Sequence, residues 1–255
     1  MLYNIDLLKH TAPGFYENGQ KIFFRTSTLT AVLLCSYKVH FLRQNFVQKD
    51  FKANIALIKG GMVHALVEFL LKNSKLISES ILFYLLENEV YDSLLQNYIT
   101  QFPVNVDIRL LNRQKLLTAA KQLYNFVKTH FTEYLSEKTF IIEKPSYILK
   151  MTPDLITDKG MFDFKTTQKP VNSIVVSYDY ALQMNIYQHF LNLPAYLLFW
   201  SFNDEKTYIA KPGKFNNIEA RIEKVVDDIK ADRLQPNKYN CKWCFYKTAC
   251  KYANV

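Results

Sequence analysis

Apolar positions recur every three or four residues through much of the N-terminal half of the chain. That spacing predicts amphipathic helices. Ser27 reads as the N-cap of a first helix over "TLTAVLLCSYKVHFLRQN". Residues 55–73, "IALIKGGMVHALVEFLLKN", read as a second amphipathic helix after Gly60-Gly61. Residues 76–135 carry the same spacing, clearest over "RLLNRQKLLTAAKQLYNFVKTHFTEYL", while residues 1–25 read as a short irregular or β-containing entry. Near Thr139 the period changes to two. "TFIIEKPSYILKMTPDLITDKGMFDFKTT" then predicts two or three antiparallel strands separated by turns. Beyond it, "DYALQMNIYQHFLN" returns to helical spacing, "AYLLFWSF" and "KTYIA" read as strands, and "NNIEARIEKVVDDIKAD" reads as a helix. There is no internal repeat and no linker long enough to split the chain. The expectation is one domain over 1–255, with a helical part over 26–135, an α/β core over 136–232 and a cysteine-rich tail over 233–255.

Composition narrows the class. Apolar residues make up 49% of the 255, enough for a sizeable core, and six Gly with eight Pro argue against low complexity. Thirty-two Lys and Arg against 23 Asp and Glu give a net charge of +9, which suits a polyanionic partner such as nucleic acid. No apolar run approaches the roughly 20 residues that span a bilayer. The segment "MLYNIDLLKHTAPG" has neither the basic region nor the apolar region of a signal peptide. A cytoplasmic, reducing setting is therefore expected, in which the four cysteines are thiols or metal ligands rather than disulfides.

The stretch "TPDLITDKGMFDFKT" raises a chemical question. Asp158-Lys159-Gly160 is a turn signal between alternating flanks, so the segment predicts a β-hairpin. A tight turn pairing Thr157 with Gly160 sets Asp154 opposite Asp163 and leaves Lys165 on the same face as Asp163. Opposed like charges destabilise a sheet. A divalent cation between them reverses that, because Mg²⁺ and Mn²⁺ prefer oxygen ligands. Two acids, a cation and a lysine can hydrolyse phosphodiesters: the cation polarises phosphate and activates water, and the lysine stabilises developing charge. The bland alternative is a surface hairpin with scattered charges.

Pro153-Asp154 followed by Asp163-Phe164-Lys165 resembles the PD-(D/E)xK nuclease signature in its D-x-K form, as in the RecB and AddB nuclease domains. The resemblance implies a mixed central β-sheet flanked by helices, with the Phe164 carbonyl joining Asp154 and Asp163 as metal ligands. Upstream, Gly60 and His64 with Glu68 resemble the family's histidine helix, which implies His64 as a further ligand and Glu68 as its orienter. Downstream, Gln183 and Tyr187 match the family's Gln-x-x-x-Tyr, implying contacts with the DNA backbone or the walls of the site. Glu143, on the preceding strand, is either a further site acid or a solvated strand-end acid.

Cys241, Cys244 and Cys250 are spaced x2 and x5, a spacing that suits zinc or an iron–sulfur cluster. The other cysteine is Cys35, 206 positions before Cys241 (241 − 35). Its setting, "STLTAVLLCSYKVHF", is similar to the segment supplying the isolated first cysteine in AddB-type and CRISPR-adaptation iron–sulfur nucleases and in the eukaryotic Okazaki-fragment helicase–nuclease. Ser36 stands where those families usually carry Pro. The resemblance implies a structural [4Fe-4S] cluster joining the first helix to the tail, with zinc as the alternative. There is no Gly-x-x-x-x-Gly-Lys-Ser/Thr loop for a fused motor, so the stand-alone nucleases are the nearer likeness. The expected function is a Mg²⁺- or Mn²⁺-dependent DNA exonuclease acting on single strands or ends, with endonuclease cleavage also open and recombination or CRISPR-adaptation proteins as implied partners. A non-cutting nucleic-acid-binding or partner-binding protein of the same fold is the rival.

Overall fold

The structure is a computed structural model that describes residues 14–44, 55–101, 107, 110–244 and 246–253. Residues 1–13 of the expected entry segment, the end of the expected first helix at 45 and parts of the 76–135 stretch lie outside them.

The chain opens with two strands, β1 (Phe15–Glu17) and β2 (Ile22–Arg25). Helices α1 (Thr26–Leu34), α2 (Lys38–Arg43) and α3 (Ile55–Asn73) follow. A further helical run consists of α4 (Glu79–Leu85), a π-helical turn at Leu86–Val90 and α5 (Tyr91–Gln101). Helix α6 (Arg113–His130) is capped by Asn112, whose side chain accepts a hydrogen bond from the Lys115 amide. Five strands come next: β3 (Tyr134–Ser136), β4 (Phe140–Glu143), β5 (Tyr147–Met151), β6 (Leu155–Thr157) and β7 (Gly160–Thr167). The remainder is α7 (Tyr178–Leu191), β8 (Ala195–Ser201), β9 (Lys206–Ala210) and α8 (Ile218–Lys230).

This is a mixed α/β fold, but one central sheet is replaced by two among the described residues. A four-stranded sheet has the order β1-β2-β5-β4 and a five-stranded sheet the order β3-β6-β7-β8-β9. Both are mixed, with β2 parallel to β5 and β7 parallel to β8. Strands β5 and β6 part at Thr152-Pro153. Proline has no N–H to give a ladder, and there the chain leaves one sheet for the other. Strand β7 is the hinge of the packing. Phe162 and Phe164 join Leu198 and Trp200 in a core with helices α3 to α6. Met161 joins Leu197 and Phe199 in a second core with α1, α7, α8 and the inner face of the four-stranded sheet.

Four other expectations change. The first helix breaks at Cys35, which is extended (φ −160°, ψ 98°). Ser36 does not continue it, because its hydroxyl bonds the backbone of Gln235 in the tail. Arg25, not Ser27, occupies the N-cap of α1, and no side chain caps it. The helical stretch ends at His130, and Tyr134–Ser136 instead pairs antiparallel with β6. Gly60 and Gly61 lie inside α3 rather than before it. A Cβ on Gly60 would sit 3.3 Å from the Thr166 hydroxyl, so the glycine lets α3 approach β7 closely.

Gly160 has φ +134°, and a Cβ there would meet the Pro194 carbonyl oxygen at 2.4 Å. Replacing it strains the turn and forces backbone apart. Gly160→Ala is expected to cost roughly 1–3 kcal/mol, visible as a lower melting temperature. An unchanged melting temperature would show that the turn absorbs the side chain.

Candidate active site

The hairpin has the tight register. Thr157 pairs with Gly160, Ile156 with Met161 and Leu155 with Phe162. One step further along the ladder stand Asp154 and Asp163. Asp154 lies in the bend before β6, where its carboxylate accepts a hydrogen bond from the Phe164 amide at 2.6 Å. Asp163, on β7, is only 3% exposed. Lys165, two residues along the same face, pairs its ammonium with the Asp163 carboxylate.

Three helices and the four-stranded sheet close around this hairpin. From α3, His64 brings Nδ1 to 3.4 Å from Asp154 Oδ2. From α7, Gln183 donates to Asp163 Oδ1 at 3.4 Å and to the Tyr187 hydroxyl at 3.3 Å. Tyr187 is buried and donates to the Thr152 carbonyl at 3.3 Å, so it braces the chain that leads to Asp154. From the start of α1, Thr26 donates to the Lys150 carbonyl at 3.1 Å. These groups line one cavity of about 230 Å³, with Arg25, Lys150, Thr139 and Glu137 completing its wall.

The electrostatics follow from two carboxylates held out of water. Burial pushes Asp163 up, and Asp154 adds to this against the pull of Lys165. Burial acts on Asp154 in the same direction, but His64, Lys165 and the Phe164 amide outweigh it and hold that carboxyl below its usual range. Burial opposes the charged Lys165 ammonium, yet Asp163 and Asp154 prevail and push its pKa up to about 12. Burial likewise opposes charged His64, and Asp154 again prevails, raising the imidazole above its ordinary value.

Two of the sequence candidates go elsewhere. Glu68 pairs with Lys72, one helical turn on, rather than with His64. Glu143 is exposed and pairs with Lys21 outside the cavity, so it is a strand-end acid. In its place the cavity holds Glu137, which the sequence reading missed. Its backbone is left-handed (φ 55°) and its amide donates to the Asp154 carbonyl at 3.2 Å. Burial first, then Asp154, push its carboxyl up to about 8. No periodic signal marks it, because it sits in a loop. Tyr180 is a second omission: the Lys165 ammonium lies 4.9 Å from its ring centroid.

All four cysteines line a second, small pocket. Burial, then the other three thiols, push Cys241 up. The tail reaches this position by docking on α1 and α2. The Asn237 amide donates to Cys35 Sγ at 3.3 Å, its side chain donates to the Leu34 carbonyl at 2.8 Å, and Tyr246 stacks on Phe41 at 4.7 Å.

Residues 26–251 match the PD-(D/E)XK nuclease superfamily. The chain belongs to that superfamily. The structure of a protein named "Putative exonuclease" from Eubacterium rectale shares the fold, with a TM-score of 0.51 and 11% identity over 90% of this chain and 88% of that one. The crystal structure of SSO0001 aligns at 15% identity and a TM-score of 0.41, over 90% of this chain and 98% of that one. No curated protein matches the chain in sequence.

PD-(D/E)XK nucleases typically use Mg²⁺ or a similar divalent ion. The donor set of this cavity fits such an ion: the buried Asp163 carboxylate, the largely buried Asp154 carboxylate and an imidazole converge on one space. Their negative charge is now met by Lys165 and His64. In that arrangement no group of three His, Cys, Asp or Glu side chains among the described residues is set to hold a metal ion. No helix among the described residues is long and apolar enough to cross a membrane.

The Tyr187 hydroxyl links Gln183 to the Thr152 carbonyl in a buried setting. Tyr187→Phe is expected to destabilise the protein by about 1–2 kcal/mol, read as a lower urea midpoint. An unchanged midpoint would show that these bonds contribute nothing to the fold.

Proposed function

We propose that this chain is a metal-dependent DNA nuclease that hydrolyses phosphodiester bonds, acting on single strands or strand ends as an exonuclease. One observation carries the reading: Asp154, Asp163, Lys165 and His64 meet in a single cavity within a PD-(D/E)XK fold. His64, Asp154, Asp163 and the Phe164 carbonyl would hold Mg²⁺ or Mn²⁺. Bound there, the ion would polarise the scissile phosphate and activate the attacking water. Lys165 then contributes a fixed positive charge where negative charge develops on the phosphoryl oxygens. It stays protonated because two carboxylates face it. Gln183 keeps Asp163 oriented, and Tyr187 keeps the Thr152–Asp154 segment in place.

The reading extends to the RecB- and AddB-like branch, with Cys35, Cys241, Cys244 and Cys250 holding a structural [4Fe-4S] cluster. Its support is the convergence of four thiols from segments 206 positions apart on one pocket. Four thiolates are the usual ligand set of such a cluster, whose several irons need a wider cage than one tetrahedral ion. The cluster would fasten the tail to α1 and carry no part of the cleavage chemistry.

Cleavage of end-labelled single- and double-stranded DNA by anaerobically purified protein tests the nuclease. Cutting should require Mg²⁺ or Mn²⁺ and cease in EDTA. Asp163→Ala and Lys165→Ala should each lose at least about 10²-fold in rate while circular dichroism stays native. A fully active variant would remove these residues from the chemistry. Cys250→Ser should lose iron, brown colour and several degrees of melting temperature. Stoichiometric zinc and no visible absorption in the wild type would replace the cluster with a zinc site.

A further inference from the structure

Helix α7 touches the candidate site at three points along one face. Tyr180, Gln183 and Tyr187 stand at i, i+3 and i+7, a spacing that lines them up on a helix. Gln183 holds the Asp163 carboxylate, and Tyr187 holds the Thr152 carbonyl. Tyr180, one turn before Gln183, lies against Lys165, whose ammonium sits over the ring at 4.9 Å from its centroid.

The sheet fixes that ring in place. Lys165 on β7 pairs in register with Phe199 on β8. The Tyr180 ring lies 6.4 Å from the Phe199 ring, with planes at 53°. Phe199 is buried, and Tyr180 packs partly buried against the same apolar core. One ring thus braces the other, and the outer one offers its face to the ammonium.

Lys165 needs such a hold for an electrostatic reason. Its ammonium pairs with the Asp163 carboxylate at one wall of the cavity. The same carboxylate is a proposed ligand of the divalent ion. A dication there draws on the same oxygens and repels the ammonium. A neutral ring attracts the ammonium through its quadrupole and needs no carboxylate to do so.

We propose that Tyr180 is a positioning residue for Lys165, its ring keeping the ammonium at the cavity when Asp163 turns to a cation. The proposal rests on the nuclease reading, which gives Lys165 a developing charge to meet. Two readouts separate the contact from the chemistry. In protein isotopically labelled at lysine Cε, the Lys165 resonance is the one lost in Lys165→Arg. The ring face should shift its methylene protons upfield in wild type and in Tyr180→Phe. That shift should vanish in Tyr180→Leu and Tyr180→Met, which keep apolar volume without a ring.

Single-turnover cleavage of end-labelled DNA in saturating Mn²⁺ reads the chemistry. Tyr180→Phe should cut at the wild-type rate, and the two variants without a ring about 3- to 30-fold more slowly. Their affinity for the same DNA in EDTA should be unchanged, and circular dichroism verifies each fold. An unshifted Lys165 resonance in wild type would overturn the contact. Leu and Met variants that cut as fast as wild type would overturn the positioning role and leave the nuclease reading intact. Tyr180→Phe as slow as Tyr180→Leu would assign the effect to the hydroxyl and overturn the role of the ring. A wild type that cuts no DNA overturns the nuclease reading itself, and the role in cleavage falls with it even where the resonance is shifted.

Discussion

Asp154 and Asp163 are held together out of water, and much of the surrounding architecture answers that electrostatic demand. Two neighbouring carboxylates lose hydration and repel one another. The fold meets them with a backbone amide from Phe164, an imidazole from α3, an ammonium from β7 and an amide from α7. They come from three elements, β7, α3 and α7, so the site exists only once all of them have packed. His64 and Lys165 supply positive charge that offsets the two carboxylates.

Packing brings those elements within reach. Gly60 allows α3 to lie close on β7, and His64 follows one turn later on that helix. Tyr187 and Gln183 share a face of α7 and fix both the Asp163 carboxylate and the backbone before Asp154. The division of the strands at Pro153 turns Asp154 out of one ladder just before it enters the next. A proline there does more than end a strand: it sets the carboxylate at the junction of two sheets, where the cavity opens.

The hairpin was legible in the sequence because its turn chemistry and two-residue period agree, and its register came out as read. The helices α3, α7 and α8 and the strands β8 and β9 were equally plain, each from its own hydrophobic period. What could not be read was anything set by long-range contact. Glu137 has a left-handed backbone in a loop, and nothing local tells it apart from other loop acids. The neighbourhood of Arg25 and Lys150 depends on a parallel pairing between strands far apart in the chain. Cys35 sits in helical spacing, yet the tail captures Ser36 and breaks the helix. Glu143 admits two readings from the sequence, and Lys21, in the turn between β1 and β2, decides between them.

Strand β7 serves two interiors at once, with Phe162 and Phe164 against the helices and Met161, Asp163 and Lys165 toward the other side. That arrangement gives the strand an uneven tolerance to genetic change. Substitutions on one face are felt mainly by that face, so the helical core can drift in sequence while the chemistry stays fixed. An inserted or deleted residue is different, because a strand has a period of two. It would exchange the faces, setting phenylalanines into the cavity and two opposite charges against Trp200. Length, more than identity, is what evolution must hold constant in this strand.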